Sequence, residues 1–157
     1  MTENYLLNFR KRKIEKGQRA DNMKHLQDLK ALIIELRSVH EKTAGQRIQK
    51  DVRDICNTAQ KILECLIRDN TKLSGARLFI EYYMPELIGI LNQYISIKEN
   101  NISSAQAKET ATQIEGFAPV VKEAFGKLLE NLISQNGDDP EIDIRVMLDR
   151  LKSKSLL

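Results

Sequence analysis

Tryptophan is absent from this 157-residue chain, and four Tyr with four Phe supply all of its Phe/Trp/Tyr rings. With so few large rings, Leu and Ile must fill most of any core. Three Pro and seven Gly are too few to punctuate the many turns of an all-β fold. The two cysteines, Cys56 and Cys65, fall in one predicted helix about two and a half turns apart. At ~1.5 Å of rise per residue they cannot bridge each other, so they read as reduced thiols in a core, as in a cytoplasmic protein. No stretch approaches the ~18 uninterrupted apolar residues of a membrane helix. The opening MTENYLLNFRKRK has its charges after a very short apolar patch, the reverse of a signal peptide. A net charge of +3 is too small to imply a partner.

What is present is helical periodicity. The apolar share of 41% and charged share of 30% suit long helices with one wet face. The length suits one domain with a sizeable core. The most apolar stretch is residues 73–97, in which Leu73, Ala76, Ile80, Tyr83, Leu87, Ile90 or Leu91, and Tyr94 recur every third or fourth place. That spacing draws a stripe along one side of a helix. Phe79, Met84, Ile88 and Ile95 widen it, so the segment should be central and covered on more than one side. Pro85 lies inside it, removing a donor and biasing Met84 away from helical angles. Because the stripe keeps phase across the proline, a kink is expected in preference to a break.

Three further seams accompany it. From Asp21, a plausible N-cap, Leu26, Leu29, Ile33, Leu36 and His40 step by three and four beside Leu32. From about Gln46, Ile48, Val52, Ile55, Ala59, Ile62 and Leu66 repeat the pattern, thickened by Cys56 and Leu63. Asn70 is placed to cap the next helix. Ser103 with Gln106 reads as a capping box, followed by Ala107, Ala111, Ile114, Ala118, Val121, Phe125, Leu128 and Leu132. Gly116 and Pro119 predict a bend there. Asp139-Pro140 then starts a short closing helix through Ile144, Met147, Leu148 and Leu151. The expected fold is all-α: an elongated antiparallel bundle of four long helices, the central one kinked at Pro85, plus a short C-terminal helix. Residues 1–20 are expected to be a flexible basic segment and 21–157 a single helical-bundle domain.

Chemistry is harder to find. His25 and His40 lie more than four turns apart on one helix, too far to share an ion on a straight helix. His40 falls on the seam and reads as a core or boundary histidine, whereas His25 should face solvent. Asp138, Asp139, Glu141 and Asp143 lack the alternation of a calcium loop and read as helix-start charge. Burial of both cysteines should raise their pKa and blunt them. There is no glycine-rich phosphate loop and no Gly-x-Ser-x-Gly elbow. The residues therefore imply no catalytic group, metal or cofactor.

Two stretches remain as candidate sites. Tyr82 and Tyr83 before Pro85, with Tyr94 beyond, read either as core packing with tethered hydroxyls, or as a groove for a protein partner or a polar pocket opened where the proline frees a carbonyl. Arg10, Lys11, Arg12 and Lys13 follow Tyr5, Leu6, Leu7 and Phe9. They form either a loosely docked tail or an amphipathic anchor on an anionic membrane surface. No second basic stripe supports nucleic acid.

LFIEYYMPELIGILNQY resembles the aromatic-Tyr-Tyr-Leu-Pro segment ahead of a leucine-rich helix in the bacterial 5-bromo-4-chloroindolyl phosphate hydrolysis proteins. DDPEIDIRVMLDRLKSKSLL is similar to that family's closing segment. The matching positions are Tyr82, Tyr83, Pro85, Leu87, Tyr94, Asp143, Ile144, Val146 and Leu151, and the similarity runs over residues 45–157. The resemblance implies a bacterial protein linked to cleavage of a chromogenic phosphate ester and associated with toxic-anion (tellurite) resistance proteins. It brings no catalytic residues to carry over. Many members place membrane helices ahead of the matching part, where this chain has its basic block. The expectation is a helical accessory protein that acts through a protein partner or by self-association, cytoplasmic or membrane-peripheral. The alternative is a phosphoester hydrolase with an unrecognised site.

Overall fold

A computed structural model describes residues 2–134, and the closing helix and acidic run expected after Gln135 lie outside the described residues. The described chain is helical, with no strands. Helix α1 spans Thr2–Lys42, α2 Gln49–Arg68, α3 Met84–Glu99 and α4 Ala105–Ser134. A 3₁₀ segment, Asn70–Ala76, and a π turn, Phe79–Tyr83, lie between α2 and α3.

The seams fold inward as their spacing demands. Leu29, Ile33 and Leu36 of α1, the whole predicted stripe of α2, and Ile114, Ala118, Val121, Phe125, Leu128 and Leu132 of α4 join one core with the central stripe. Val39, missed by the three-four count, is buried, and His40 beside it is only partly so. The α1–α2 turn needs Gly45, whose φ of +80° is reached at little cost only without a Cβ.

Helix order around the bundle is less obvious. α2 packs against α1 and α4, and α3 packs against α1 and α4, so α2 and α3 sit diagonally although they are successive. Successive helices run antiparallel, but the α2–α4 pair is parallel. Arg47 reaches Glu115 at 3.9 Å, and Asp54 reaches Lys122 at 2.8 Å; both partners advance seven residues in the same direction. The 3₁₀ segment carries the chain across the end of the bundle, where Leu132 of α4 lies 3.7 Å from the position a Cβ on Gly75 would take.

Local starts and stops differ from expectation in four places. α1 runs back to Thr2 without restarting at Asp21, and its residues 6–21 are exposed. The cap after α2 is Asp69, whose carboxylate accepts from the Thr71 backbone N–H, and not Asn70. α4 is capped by Ser104, whose Oγ accepts from the Ala107 N–H at 3.1 Å, one residue later than the predicted Ser103 box. At Pro85 the irregularity expected as a kink takes the form of the π turn. Met84 keeps helical angles (φ −63°, ψ −49°) and its N–H bonds Phe79 five residues back. A regular turn would press the Pro85 ring onto the carbonyl four residues earlier, and the extra residue of a π turn relieves that crowding.

Candidate functional site

Two clefts, one at each end of the bundle, bring polar groups of separate helices together. The first lies where α1 passes the 3₁₀ segment. It is an open groove of about 850 Å³ lined by Ile14, Arg19, Asn22, His25, Ser74 and Arg77, among others. His25 is not solvent-facing: its side chain is 16% exposed. Its Nδ1 lies 2.8 Å from the Asp21 carbonyl and its Nε2 2.8 Å from Glu81 Oε1. The Arg77 Nε–H donates to the same oxygen at 3.3 Å. The His25 bond is the leading cause that holds the Glu81 carboxyl below its ordinary range, with Arg77 adding to it. Both ring nitrogens therefore face acceptors, one on α1 and one on the π turn, and the ring clasps the two elements together. No sequence periodicity reveals a pairing across 56 residues.

The second cleft, about 790 Å³, opens between the α1–α2 turn, the end of α3 and the start of α4, with Arg47, Tyr94, Lys98, Lys108, Thr112 and Glu115 in its walls. Tyr94 is wholly buried although it contributes to this lining, and its hydroxyl has no hydrogen-bond partner among the described residues. Burial pushes that hydroxyl up to about 12, Glu115 adds to the rise and Arg47 opposes it. The hydroxyl thus lies in the field of both cleft residues. Lys98 Nζ stands 5.5 Å from the Tyr94 ring centroid, a cation–π contact.

The tyrosines selected from sequence do not share a surface. Tyr83 and Tyr94 are buried in the core, Tyr82 packs partly buried against it, and only Pro85 of the four is exposed. The Tyr82 and Tyr83 rings meet edge-on with centroids 5.4 Å apart. As placed, Tyr83 and Tyr94 are enclosed, and the side chains of Tyr83 and Met84 at the end of the π turn are both buried. By contrast Arg10, Lys11, Arg12 and Lys13 are exposed on one continuous helix, together with Leu6, Leu7, Phe9 and Ile14.

The remaining reactive groups are enclosed. Cys56 and Cys65 are buried and unpaired, and burial raises the Cys56 thiol to about 11. The Nε2 of His40 is buried with no hydrogen-bond partner among the described residues. Among those residues no three His, Cys, Asp or Glu side chains converge as metal ligands, and no helix is long and apolar enough to cross a membrane. Asp143, Ile144, Val146 and Leu151 lie outside the described residues.

Residues 10–147 match a protein family described as 5-bromo-4-chloroindolyl phosphate hydrolysis protein. No curated protein and no solved structure matches the chain.

Proposed function

This chain belongs to the 5-bromo-4-chloroindolyl phosphate hydrolysis protein family, and on that premise we propose that it is a helical accessory module acting through a protein partner. One observation supports this most. Residues 6–21 of α1 are all exposed, which is about 24 Å of helix at ~1.5 Å per residue. Leu6, Leu7, Phe9 and Ile14 are each more than half exposed along it, interleaved with four consecutive cations. Exposed apolar groups of that size are costly to leave in water, and clustered ones mark interaction surfaces. The occupant they fit is a protein face with an apolar groove and an acidic rim. An anionic membrane surface is the competitor.

The protein acts in the cytoplasm or at the membrane periphery on this reading, and any phosphate-ester phenotype is indirect. The toxic-anion context rests on the family resemblance alone; its test is the tellurite sensitivity of a strain lacking the gene.

Leu7→Glu with Phe9→Glu alters the surface without touching the core. Site-specific crosslinking from the exposed position 8 in cells should trap a discrete protein, and the double variant should abolish it with an unchanged melting curve. Crosslinks equal in both proteins would refute the reading, and pelleting with anionic vesicles in place of a protein adduct would favour the membrane. The hydrolase alternative has the family description in its favour. Purified protein is expected to leave an aryl phosphate intact with and without divalent metals. Turnover that survives stringent purification and disappears in His25→Ala would overturn the accessory reading.

A further inference from the structure

We propose that the cleft between the α1–α2 turn and the start of α4 binds a phosphate group, taken from a soluble phosphate or phosphate monoester, on Arg47, Lys98, Lys108 and the Tyr94 hydroxyl. This stands apart from the reading of α1 as a partner surface and uses none of its residues.

The charge balance of the cleft selects the ligand class. Arg47, Lys98 and Lys108 face one carboxylate, Glu115, leaving two net positive charges at neutral pH. Phosphate and its monoesters carry close to two negative charges there and present three or four strong acceptor oxygens. A carboxylate ligand would match only half that charge. Lys108 lies in the first turn of α4, where the aligned peptide dipoles of a 30-residue helix add further positive potential.

The second support is independent of charge. A buried hydroxyl without a partner forfeits a hydrogen bond and is costly to retain. Tyr94 is wholly enclosed yet unpartnered, and its hydroxyl lies in the fields of Glu115 and Arg47. It is therefore an unpaired donor on a residue that lines the cleft. The Arg47–Glu115 pair in the same lining is loose, at 3.9 Å, with the Arg47 side chain 91% exposed. An incoming dianion attracts Arg47 and repels Glu115, opening that pair and uncovering the hydroxyl. Arg47 then forks onto two phosphate oxygens, the two lysines balance the charge, and Tyr94 donates to a third oxygen. No bond is broken in this scheme; the cleft is a binding site.

The test is a ¹⁵N NMR titration of the full chain with inorganic phosphate and then phenyl phosphate at constant ionic strength, with acetate as the monoanion control. Saturable shifts are expected for the amides of Arg47, Lys98, Lys108 and Thr112, with acetate much weaker. Lys98→Gln and Lys108→Gln should each weaken binding about tenfold, as for loss of a charge-assisted bond. Lys61→Gln, an exposed lysine of α2, should change nothing. Tyr94→Phe should weaken phosphate about threefold and, without phosphate, leave the melting temperature equal or higher, because it removes an unsatisfied group. Shifts that acetate reproduces, that never saturate, or that persist in the Lys98→Gln/Lys108→Gln double variant would overturn the assignment. Phosphatidic-acid vesicles supply the other source. Pelleting that needs both lysines, with no saturable binding of soluble phosphate, would refute the soluble ligand.

Discussion

Truncating Phe125 to alanine should remove much of the stability of the bundle, and the structure allows the loss to be apportioned. Phe125 of α4 and Phe79 of the π turn are both fully buried, with ring centroids 4.9 Å apart and planes inclined at 78°. Deleting a buried phenyl costs about 3–5 kcal/mol through lost burial and the cavity left behind. An edge-on pair contributes a further ~0.5–1.5 kcal/mol beyond its buried area. A domain of this kind has about 5–15 kcal/mol in total, so Phe125→Ala should leave it marginal. The pair term is isolated by a cycle in leucine. Phe79→Leu and Phe125→Leu keep apolar bulk and should each cost about 1–1.5 kcal/mol. The double variant should cost about 1 kcal/mol less than their sum, because the second substitution has no ring contact left to remove. Urea unfolding followed by circular dichroism at fixed m-value measures each quantity. Ile34→Ala, at a side chain 70% exposed, is the control and should stay within ~0.5 kcal/mol. A Phe125→Ala cost below about 1 kcal/mol, or additivity within about 0.3 kcal/mol, would mean that the π turn does not pack on α4.

The Glu81 carboxyl lies below its ordinary value because it bonds His25, so its contribution is present above that value and lost as pH falls through its folded pKa. The urea midpoint of wild type should therefore exceed that of Glu81→Gln near neutral pH, and the gap should close in acid; a gap that widens in acid would refute the clasp. Cys56 is buried with its thiol raised to about 11, and Cys65, farther along α2, is buried too. A thiol reagent at pH 8 should label neither in the native protein and both in urea, and rapid native labelling would contradict the burial. Gly45→Ala meets no atom within 4 Å but forces a Cβ onto φ +80°, so it should cost about 1 kcal/mol from backbone strain. A neutral outcome would place the turn elsewhere. Ala59→Leu inserts a branched side chain at a fully buried site of α2 and should cost about 1–3 kcal/mol by overpacking; calorimetry checks both.

Much of this architecture is legible before any coordinates. The step of three and four in Ile48, Val52, Ile55, Ala59, Ile62 and Leu66 marks residues that are all buried, because side chains at that spacing share one face of a 3.6-residue helix. The wide stripe around Tyr83 and Tyr94 correctly marks the helix covered on several sides. The same reading fails at the ends of elements. Asp69, Asn70, Ser103 and Ser104 are chemically similar cappers, and which one caps depends on where the preceding chain leaves its neighbour. Pro85 announces an irregularity but not its kind, since a kink, a break and a π turn all answer the same missing N–H.

The candidate sites were legible least. Aliphatic seams are nearly interchangeable, so no local pattern specifies that α2 lies beside α4 and diagonal to α3. That arrangement brings Arg47 to Glu115, and the packing of α1 on the π turn brings His25 to Glu81. The chain by itself determined which residues become helix and which face of each turns inward, because both follow from contacts within a few residues. Only the tertiary structure decided which helices are neighbours, and hence which charges and hydroxyls share a cleft, because those contacts join residues dozens of positions apart.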